Sequence, residues 1–213
     1  DVRAAVAAAA EFEPLREKLK EVPAGADWLQ QWDAFMRDHG HHCRGEIEVH
    51  NPRWREQPDY ILQQVQSYLK AGEDEDFLQR YEQVARRREA ALAAARKRFR
   101  DPFRRWALSF IAGRAQQCSV VRENLKNQLV RRLAAVRRLL LALGRKLTAA
   151  GQLNDPDEVF FMTGDELRAV AAGGETPDGE IATRLAEYNA DRELTPPPVV
   201  VGVFDASMCV DED

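Results

Sequence analysis

The sequence has few of the residues that stabilise disulfide-rich or metal-binding folds. Its 213 residues include only three cysteines and four histidines. The cysteines, Cys43, Cys118 and Cys209, lie far apart and form no C-x-x-C pair. An odd and scattered set of this kind predicts no disulfide framework and is typical of a protein from a reducing cytoplasm.

Long hydrophobic runs and common catalytic motifs are also absent. No apolar stretch approaches the ~20 residues that a membrane-spanning helix requires, and no signal-peptide layout opens the chain. We therefore expect no membrane partner and a cytoplasmic location. The sequence has no Walker loop, no G-x-G-x-x-G and no G-x-S-x-G, so no familiar motif assigns a reaction. Because the chain opens in a helix-like alanine run without methionine, we expect a piece of a longer protein.

Positive charge is concentrated in one part of the chain. Between Arg86 and Lys146 there are 18 lysines and arginines against three acids, although the whole chain has a net charge of −4. The rest of the chain is correspondingly acidic. A basic segment of this kind indicates nucleic acid, an anionic substrate, or an acidic surface of the same protein as its partner.

One long helix dominates the predicted fold. From about Pro102 to Ala150, apolar residues recur at three- and four-residue steps, which predicts a helix of about 70 Å at 1.5 Å per residue. The residues of this stripe are Leu108, Ile111, Ala115, Cys118, Leu125, Leu129, Leu133, Val136, Leu140, Leu143 and Leu147. Arg122 interrupts the stripe. A guanidinium there must be paired or solvated, so we expect either an interhelical ion pair or a ligand-facing arginine.

Shorter helices are predicted before the long one. They cover residues 1–21 with a kink at Pro14, a segment capped by Asp27 that stops at Gly40, and a segment from Pro58 to Leu69. A further helix, capped by Asp74 or Asp76, runs to about Arg100 with Leu78, Tyr81, Ala85, Leu92, Ala95 and Phe99 inward. The break at Asp101-Pro102 predicts that it forms an antiparallel pair with the long helix.

The C-terminal part has a different pattern. Residues 159–162 form a short apolar run that indicates a strand or extended segment. Thr163 and Glu166 form a capping box, and Thr176-Pro177 opens a last helix. The fold class is all-α: an elongated helical domain with a long central helix, an antiparallel helix pair and one long irregular loop. We place this domain at residues 1–195, and a linker or the start of a following domain at residues 196–213.

The irregular loop, between Gly40 and Gln57, is the segment in which functional chemistry is expected. All four histidines lie between residues 39 and 50 (His39, His41, His42, His50), and a short extended piece is predicted at residues 46–49. The loop also contains Cys43, Arg44, Glu46, Glu48, Arg53 and Trp54. Long loops between helices more often carry function than not.

The residues of the loop allow three interpretations, of which a metal site is the least favoured. Adjacent ligands on so short a segment rarely complete a tetrahedral zinc site, so no metal is expected. A histidine beside carboxylates has the chemistry to deprotonate a hydroxyl group, which makes His41 and His42 candidate catalytic residues. Alternatively, the histidines cap helix ends and the glutamates pair with arginines of the long helix.

Three ordered segments resemble a known family. Residues 40–48 and 51–58 are similar to the G-H-R-x-x-x-E-[IL]-[DE] and P-R-W-x-E-x-P segment of the phosphoenolpyruvate-synthase-like enzymes, a family of PEP-utilising phosphotransferases that includes the rifampicin phosphotransferases. Residues 122–147 resemble that family's long helix, and residues 155–167 its D-D-V-F-[FY]-L-T-x-x-E-L segment. The match covers roughly residues 35–200, and three motifs in order are more specific than one.

The resemblance implies a part of a dikinase-type enzyme. An ATP-grasp domain, with ATP and magnesium, would phosphorylate a histidine on a swivelling domain, which would carry the phosphoryl group to a small-molecule acceptor. This chain resembles the helical domain between those two domains, so no cofactor is expected within it and it would be inactive alone. The expected acceptor-binding residues are His41, His42, Arg44, Glu46, Glu48, Arg53, Trp54, Arg122 and Lys126.

The sequence departs from the family pattern in one place. His42 stands where arginine is usual, and Arg44 where proline is common, so we expect a different acceptor pocket. Two alternatives remain: a nucleic-acid-binding or partner-binding helical module, suggested by Arg86-Arg87-Arg88 and Arg96-Lys97-Arg98, and a structural spacer between catalytic domains. We expect no nucleic-acid partner, because solvated arginines are common on long helices.

Overall fold

A computed structural model describes residues 1–71, 77–177 and 179–195, together with Pro197, Val199, Val200, Gly202, Val203 and Cys209. All regular secondary structure in this part of the chain is helical, which confirms the all-α prediction. None of its helices is both long enough and apolar enough to cross a membrane. All three cysteines are thiols.

Eight α-helices and one 3₁₀ helix occur in the described part of the chain. They are α1 (Val2–Ala8), α2 (Phe12–Lys20), α3 (Gly25–His39), α4 (Pro58–Ala71), α5 (Phe77–Arg98), α6 (Pro102–Ala149), the 3₁₀ helix Pro156–Phe161, α7 (Gly164–Ala171) and α8 (Glu180–Arg192). The chain divides into two compact units, Asp1–Ala134 and Ala135–Asp213. The predicted domain boundary after residue 195 stays a prediction, since residue 196 lies outside the described residues.

The N-terminal helices differ from the prediction in where they begin. Two helices replace the single kinked one, and the break falls at residues 9–11. Pro14 lies in the first turn of α2, where its missing N–H removes no intrahelical hydrogen bond. The carboxylate of Asp59 in α4 accepts the backbone N–H of Phe12 at 2.6 Å and so fixes the start of α2.

The start of α3 was also predicted wrongly. Asp27 is not its cap, because the helix begins at Gly25 after Ala24, whose φ of 61° is left-handed. A Cβ atom on Gly25 would lie 1.9 Å from the backbone oxygen of Leu19. The close approach of α2 and α3 therefore requires glycine and sets the helix boundary more strongly than a capping side chain does.

Helices α1 to α4 enclose the main core of the first unit. Phe12 and Trp32 stack with their ring centroids 4.3 Å apart, and α2 packs on α1, α3 and α4 around them. The buried members of this core are Ala5, Val6, Phe12, Leu15, Leu19, Trp32, Met36, Ile61 and Leu62.

Helix α6 is continuous over 48 residues, as predicted, but its apolar stripe is not uniformly buried. Near its C-terminal end Leu147 is buried and Leu140 and Leu143 are half-buried. Ile111, Leu125 and Leu129 are exposed. Helical periodicity identifies residues that share a face, but it does not show whether another element covers that face.

Arg122 is a second correction on α6. Its side chain is 80% exposed and pairs with Glu123, its neighbour on the same helix. The predicted interhelical ion pair is therefore wrong, because no desolvation forces this guanidinium to find a partner on another element. Its position leaves it accessible to a ligand.

The connection between α5 and α6 has the predicted break. Pro102 begins α6, and the Asp101 carboxylate accepts the N–H of Phe103 at 2.9 Å. The Arg96 Nε–H donates to the Ser109 hydroxyl at 2.8 Å, across this connection. The predicted inward residues Ala85, Leu92, Ala95 and Phe99 are half-buried, whereas Tyr81 is exposed. The Leu78 side chain and the predicted caps Asp74 and Asp76 lie outside the described residues, and an antiparallel pair beyond this turn stays a prediction.

The second unit contains one confirmed and one corrected element. The predicted capping box is present, with the Thr163 N–H donating to Glu166 at 2.6 Å and the Glu166 N–H to Thr163 at 3.3 Å. The apolar run 159–162 is not a strand, because its first three residues lie in the 3₁₀ helix that Asp155 caps and Pro156 begins. The last helix starts at Glu180 instead of Pro177. The core here consists of Leu147, Leu153, Val159, Met162, Val170 and Ile181.

Candidate functional site

The loop between α3 and α4 is held by a series of tight turns. Residues 44–47 form a turn, so the extended piece predicted at residues 46–49 is wrong. Gly45 takes a positive φ of 67°, and a Cβ there would lie 2.6 Å from Asn51 Nδ2. That amide donates to the carbonyl oxygens of Arg44 and Gly45 at 3.0 and 3.3 Å. The loop therefore folds back on itself.

Arg53 is the internal support of this loop. Arg53 is 1% exposed. Its guanidinium donates to the carbonyl oxygens of Glu46 at 3.1 Å and Glu48 at 3.2 Å, and it also contacts the Cys43 sulfur. A buried charge is tolerated where such acceptors surround it. The structure thus places this predicted binding residue beneath the site, against the loop's own backbone.

Glu46 connects the loop to α6. Its Oε1 contacts His42 Nδ1, and its Oε2 lies 2.6 Å from Lys126 Nζ. Burial alone would raise the pKa of Glu46, but the hydrogen bonds from Lys126 and His42 outweigh it and hold that pKa below its usual value. The same hydrogen bond raises the pKa of Lys126. The carboxylate and the ammonium group are therefore both charged at neutral pH.

His41 makes a second link between the loop and α6. It is 5% exposed, and its Nε2 lies 2.5 Å from Oδ1 of Asn127. Burial lowers the pKa of His41, and the nearby charges of His42 and Arg131 act in the same direction, against the hydrogen bond to Asn127. His41 is therefore neutral near pH 7, and Nε2 carries the proton because an amide oxygen only accepts.

Aromatic rings surround the exposed side of this cluster. Trp54 lies 5.2 Å from His42 and stacks on Phe35 with centroids 6.2 Å apart. Its indole Nε1 is buried, and it has no hydrogen-bond partner among the described residues. Next to Phe35 an open cavity of about 280 Å³ lies between α3 and α4. Its lining residues are Trp28, Gln31, Trp32, Phe35, Ile61 and Val65.

The structure brings together only some of the predicted site residues. His42, Glu46, Trp54 and Lys126 form one connected cluster through the contacts above, and the His41 ring joins it 4.3 Å from the ring of His42. Arg44 is exposed on the loop, and the exposed Glu48 accepts the backbone N–H of His50 at 3.0 Å. Arg122 lies one helical turn before Lys126 on α6, with its side chain in solvent.

Sequence reasoning missed Asn127. It is half-buried and orients His41, but it is one of several polar residues on a helix rich in them. The available signal was its position directly after Lys126, opposite a loop whose histidines need partners. Among the described residues, no group of three His, Cys, Asp or Glu side chains converges as metal ligands.

Comparisons with known proteins identify the family. A family model described as the rifampicin phosphotransferase fourth domain matches residues 1–123, which is more than half of the chain. A rifampicin phosphotransferase of Streptomyces sviceus is 25% identical over 203 residues, covering 93% of this chain and 23% of that protein. The rifampicin phosphotransferase of Bacillus subtilis is 25% identical over 174 residues, 78% of this chain and 20% of that protein.

A relative with a different name has a similar level of identity. The prodigiosin synthesizing transferase PigC of Serratia marcescens is 28% identical over 190 residues, covering 86% of this chain and 21% of that protein. The chain thus spans less than a quarter of the length of each of these three relatives. The family match confirms the resemblance inferred from the loop and helix motifs, and the chain belongs to the rifampicin phosphotransferase fourth-domain family.

Proposed function

We propose that these residues form the acceptor-binding helical domain of an ATP-dependent dikinase-type phosphotransferase. The observation that carries this proposal is the cluster of His42, Glu46 and Lys126, which joins the loop to α6. Trp54 contacts both His42 and Phe35, and Phe35 lines the open aromatic cavity. Family membership supports the reaction class. ATP, magnesium and the phosphorylated histidine would belong to other domains of the polypeptide.

His42 is the proposed general base. With Nδ1–H donating to the Glu46 carboxylate, the lone pair of Nε2 remains to accept a proton, and the carboxylate stabilises the resulting imidazolium. The acceptor hydroxyl loses its proton to this nitrogen while its oxygen bonds to phosphorus. The bond between phosphorus and the carrier histidine of the other domain breaks, and its electron pair returns to that histidine.

Lys126 and Arg122 are the proposed anion-stabilising residues. Both side chains are more than half exposed, and they are one turn apart on the same face of α6. Cations fixed next to a transferring phosphoryl group stabilise the charge on its oxygens. Glu46 holds Lys126 in place on the loop side, whereas Arg122 pairs with Glu123, its neighbour on the same helix.

The aromatic cavity indicates the class of acceptor. Its walls are mainly tryptophan, phenylalanine and aliphatic side chains, with Gln31 as a polar group. Such a lining suits an apolar, partly aromatic small molecule with a hydroxyl group at one end. The acceptor itself does not follow from the family, because the names of relatives of similar identity refer to different compounds.

The experiment uses the full-length polypeptide that contains this segment. AMP formation from ATP is measured with and without a panel of hydroxylated aromatic compounds. We expect acceptor-dependent AMP formation, a large fall in kcat for His42→Gln, and near-normal kcat for His39→Gln, whose exposed ring lies in the same segment. Thermal unfolding of each variant separates lost chemistry from lost folding.

Two outcomes contradict the proposal in different ways. If the wild-type polypeptide forms no AMP from ATP with any acceptor, the reaction class is wrong. If AMP forms but His42→Gln and His39→Gln behave alike, the segment is a structural spacer, and the acceptor binds elsewhere.

A further inference from the structure

The N-terminal half of α6 presents a row of exposed apolar side chains. We define the α6 outer face as Phe103, Trp106, Phe110, Val121 and Leu125, each of which is at least half exposed. The three aromatic rings stack in sequence, with centroids 5.7 Å apart for Phe103 and Trp106 and 5.4 Å for Trp106 and Phe110. They form one continuous surface along about two turns of helix.

The loop contacts α6 on a different side of the helix from the apolar side chains of this face, and Arg122 lies at the border between the two. Lys126 and Asn127 contact the loop, and at about 100° per residue they lie between about 100° and 160° around the helix from Val121 and Leu125. The loop therefore contacts α6 at residues 126 and 127 on one side of the helix, and the exposed apolar side chains lie on another side. The described residues do not bury the apolar side chains of the α6 outer face, so packing within this part of the chain does not explain them.

The α6 outer face also includes a shallow depression of about 440 Å³. Its lining residues are Arg114, Gln117, Cys118, Val121, Arg122 and Leu125. A Cβ atom at Gly113 would have no neighbouring atom within 4 Å, so the helix backbone is also uncovered at this position. Contiguous exposed apolar surface with a polar border is typical of a protein interaction site.

The charges around the face limit its partner. From Arg96 to Lys126 there are nine lysines and arginines and two acids, and the Arg114 guanidinium lies 5.4 Å from the Phe110 ring. A second copy would bring the same positive charges together, and like charges across an interface disfavour binding. The face is complementary to an apolar surface with an acidic border.

We propose that the α6 outer face is the docking surface for another domain of the same polypeptide, one whose contact surface has an apolar centre and an acidic rim. The inference rests on the proposed function in treating this chain as one part of a longer enzyme. Its relatives are more than four times the length of the matched segment. A tethered domain is present at high effective concentration, so even a weak apolar contact is occupied much of the time.

Photo-cross-linking in the full-length polypeptide tests this inference without requiring turnover. Trp106 is replaced by p-benzoylphenylalanine, and a matched control places the same residue at Tyr81, which is 77% exposed on α5 and outside the face. We expect intramolecular cross-links from position 106 to an acidic segment outside residues 1–213, with a yield well above that from position 81. Mass spectrometry of the digested protein locates the cross-linked peptide.

A charge-reversal pair makes the test specific. With the cross-linker at position 106, Val121→Glu is expected to lower the yield about tenfold, because it opposes an acidic rim, and Val121→Lys by less than about threefold. Both substitutions are at an exposed helical position, so neither removes core packing. Equal losses for the two variants would contradict the acidic rim.

The remaining outcomes each overturn the proposal. Cross-links between two copies that disappear on dilution would assign the face to self-association. A nuclease-sensitive adduct would assign it to nucleic acid. A yield no higher than that of the position 81 control would show that nothing docks there. Absence of AMP formation, measured separately, would remove the proposed enzyme but would leave the cross-linking result intact.

Discussion

Residues 1–71 and the N-terminal half of α6 use apolar side chains in opposite ways. In the first region, Phe12, Leu19 and Trp32 are buried in a core that four helices share. In the second, Phe103, Trp106 and Phe110 stack on one another in solvent. The difference suggests that the first region stabilises the fold, whereas the second is available for partners. The candidate site lies just after the second region, at the contacts of Lys126 and Asn127 with the loop.

Truncating one aromatic residue in each region gives the largest expected contrast. Phe12→Ala should lower the free energy of unfolding by about 3–5 kcal/mol, because it removes a buried ring and leaves a cavity. Phe103→Ala should change it by less than about 0.5 kcal/mol, since that ring is exposed. Urea unfolding followed by tryptophan fluorescence measures both. Similar losses in the two variants would show that α6 packs as tightly as the core.

The second contrast compares two arginines of the loop. Arg53→Met should lower the free energy of unfolding by about 2–3 kcal/mol, because it leaves the part-buried carbonyl oxygens of Glu46 and Glu48 without their donor. Arg44→Met should change the free energy of unfolding by less than about 0.5 kcal/mol, since that side chain is exposed. The same urea experiment compares them, and a neutral Arg53→Met would rule out its supporting role.

The pH dependence of stability reports on the loop's attachment to α6. The pKa of His41 is lowered below 6.5, so the unfolded state binds more protons just below pH 6.5, and stability should fall as the pH drops through that window. The pKa of Glu46 is lowered below 4.5, and its contribution, complete above 4.5, should be lost as the pH falls through its folded value.

Urea midpoints measured at a series of pH values separate these two contributions. His41→Gln should flatten the dependence just below pH 6.5, and Glu46→Gln the dependence below 4.5. Unchanged slopes in both variants would mean that neither group is held as the structure places it.

Arg122→Gln should have the smallest effect on stability. Its side chain is 80% exposed and pairs with the adjacent Glu123. Exposed ion pairs of this kind contribute at most about 1 kcal/mol. A clear loss of stability would restore the interhelical ion pair that the apolar stripe had suggested, whereas unchanged stability with lower turnover would support the proposed phosphoryl contact.

Local signals in the sequence predicted the features that depend on local physics. Pro58 begins α4, Gly40 follows α3, and Thr163 with Glu166 forms the capping box, because each effect acts within a few residues. The strand at residues 159–162 was predicted wrongly, since a short apolar run has no period of its own. The Asp155-Pro156 helix start was the better signal.

The candidate site was predicted less completely, because its contacts span large separations in sequence. The loop was identified from its histidines, but the pairing of His41 with Asn127 spans 86 residues and left no local pattern. The supporting role of Arg53 depends on its burial. Arginine side chains are mostly exposed in proteins, so the residue type did not indicate this role. The exposure of Arg122 depends on whether another element covers that side of α6, and helical periodicity does not show this.

The most direct test of the central claim compares Glu46→Gln with Glu48→Gln in the full-length polypeptide. Both are conservative changes in one loop, but only Glu46 joins His42 to Lys126. With acceptor-dependent AMP formation as the readout, we expect Glu46→Gln to lose most of its kcat and Glu48→Gln to retain it, with both proteins folded. Equal turnover in the two variants would contradict a site built on this cluster.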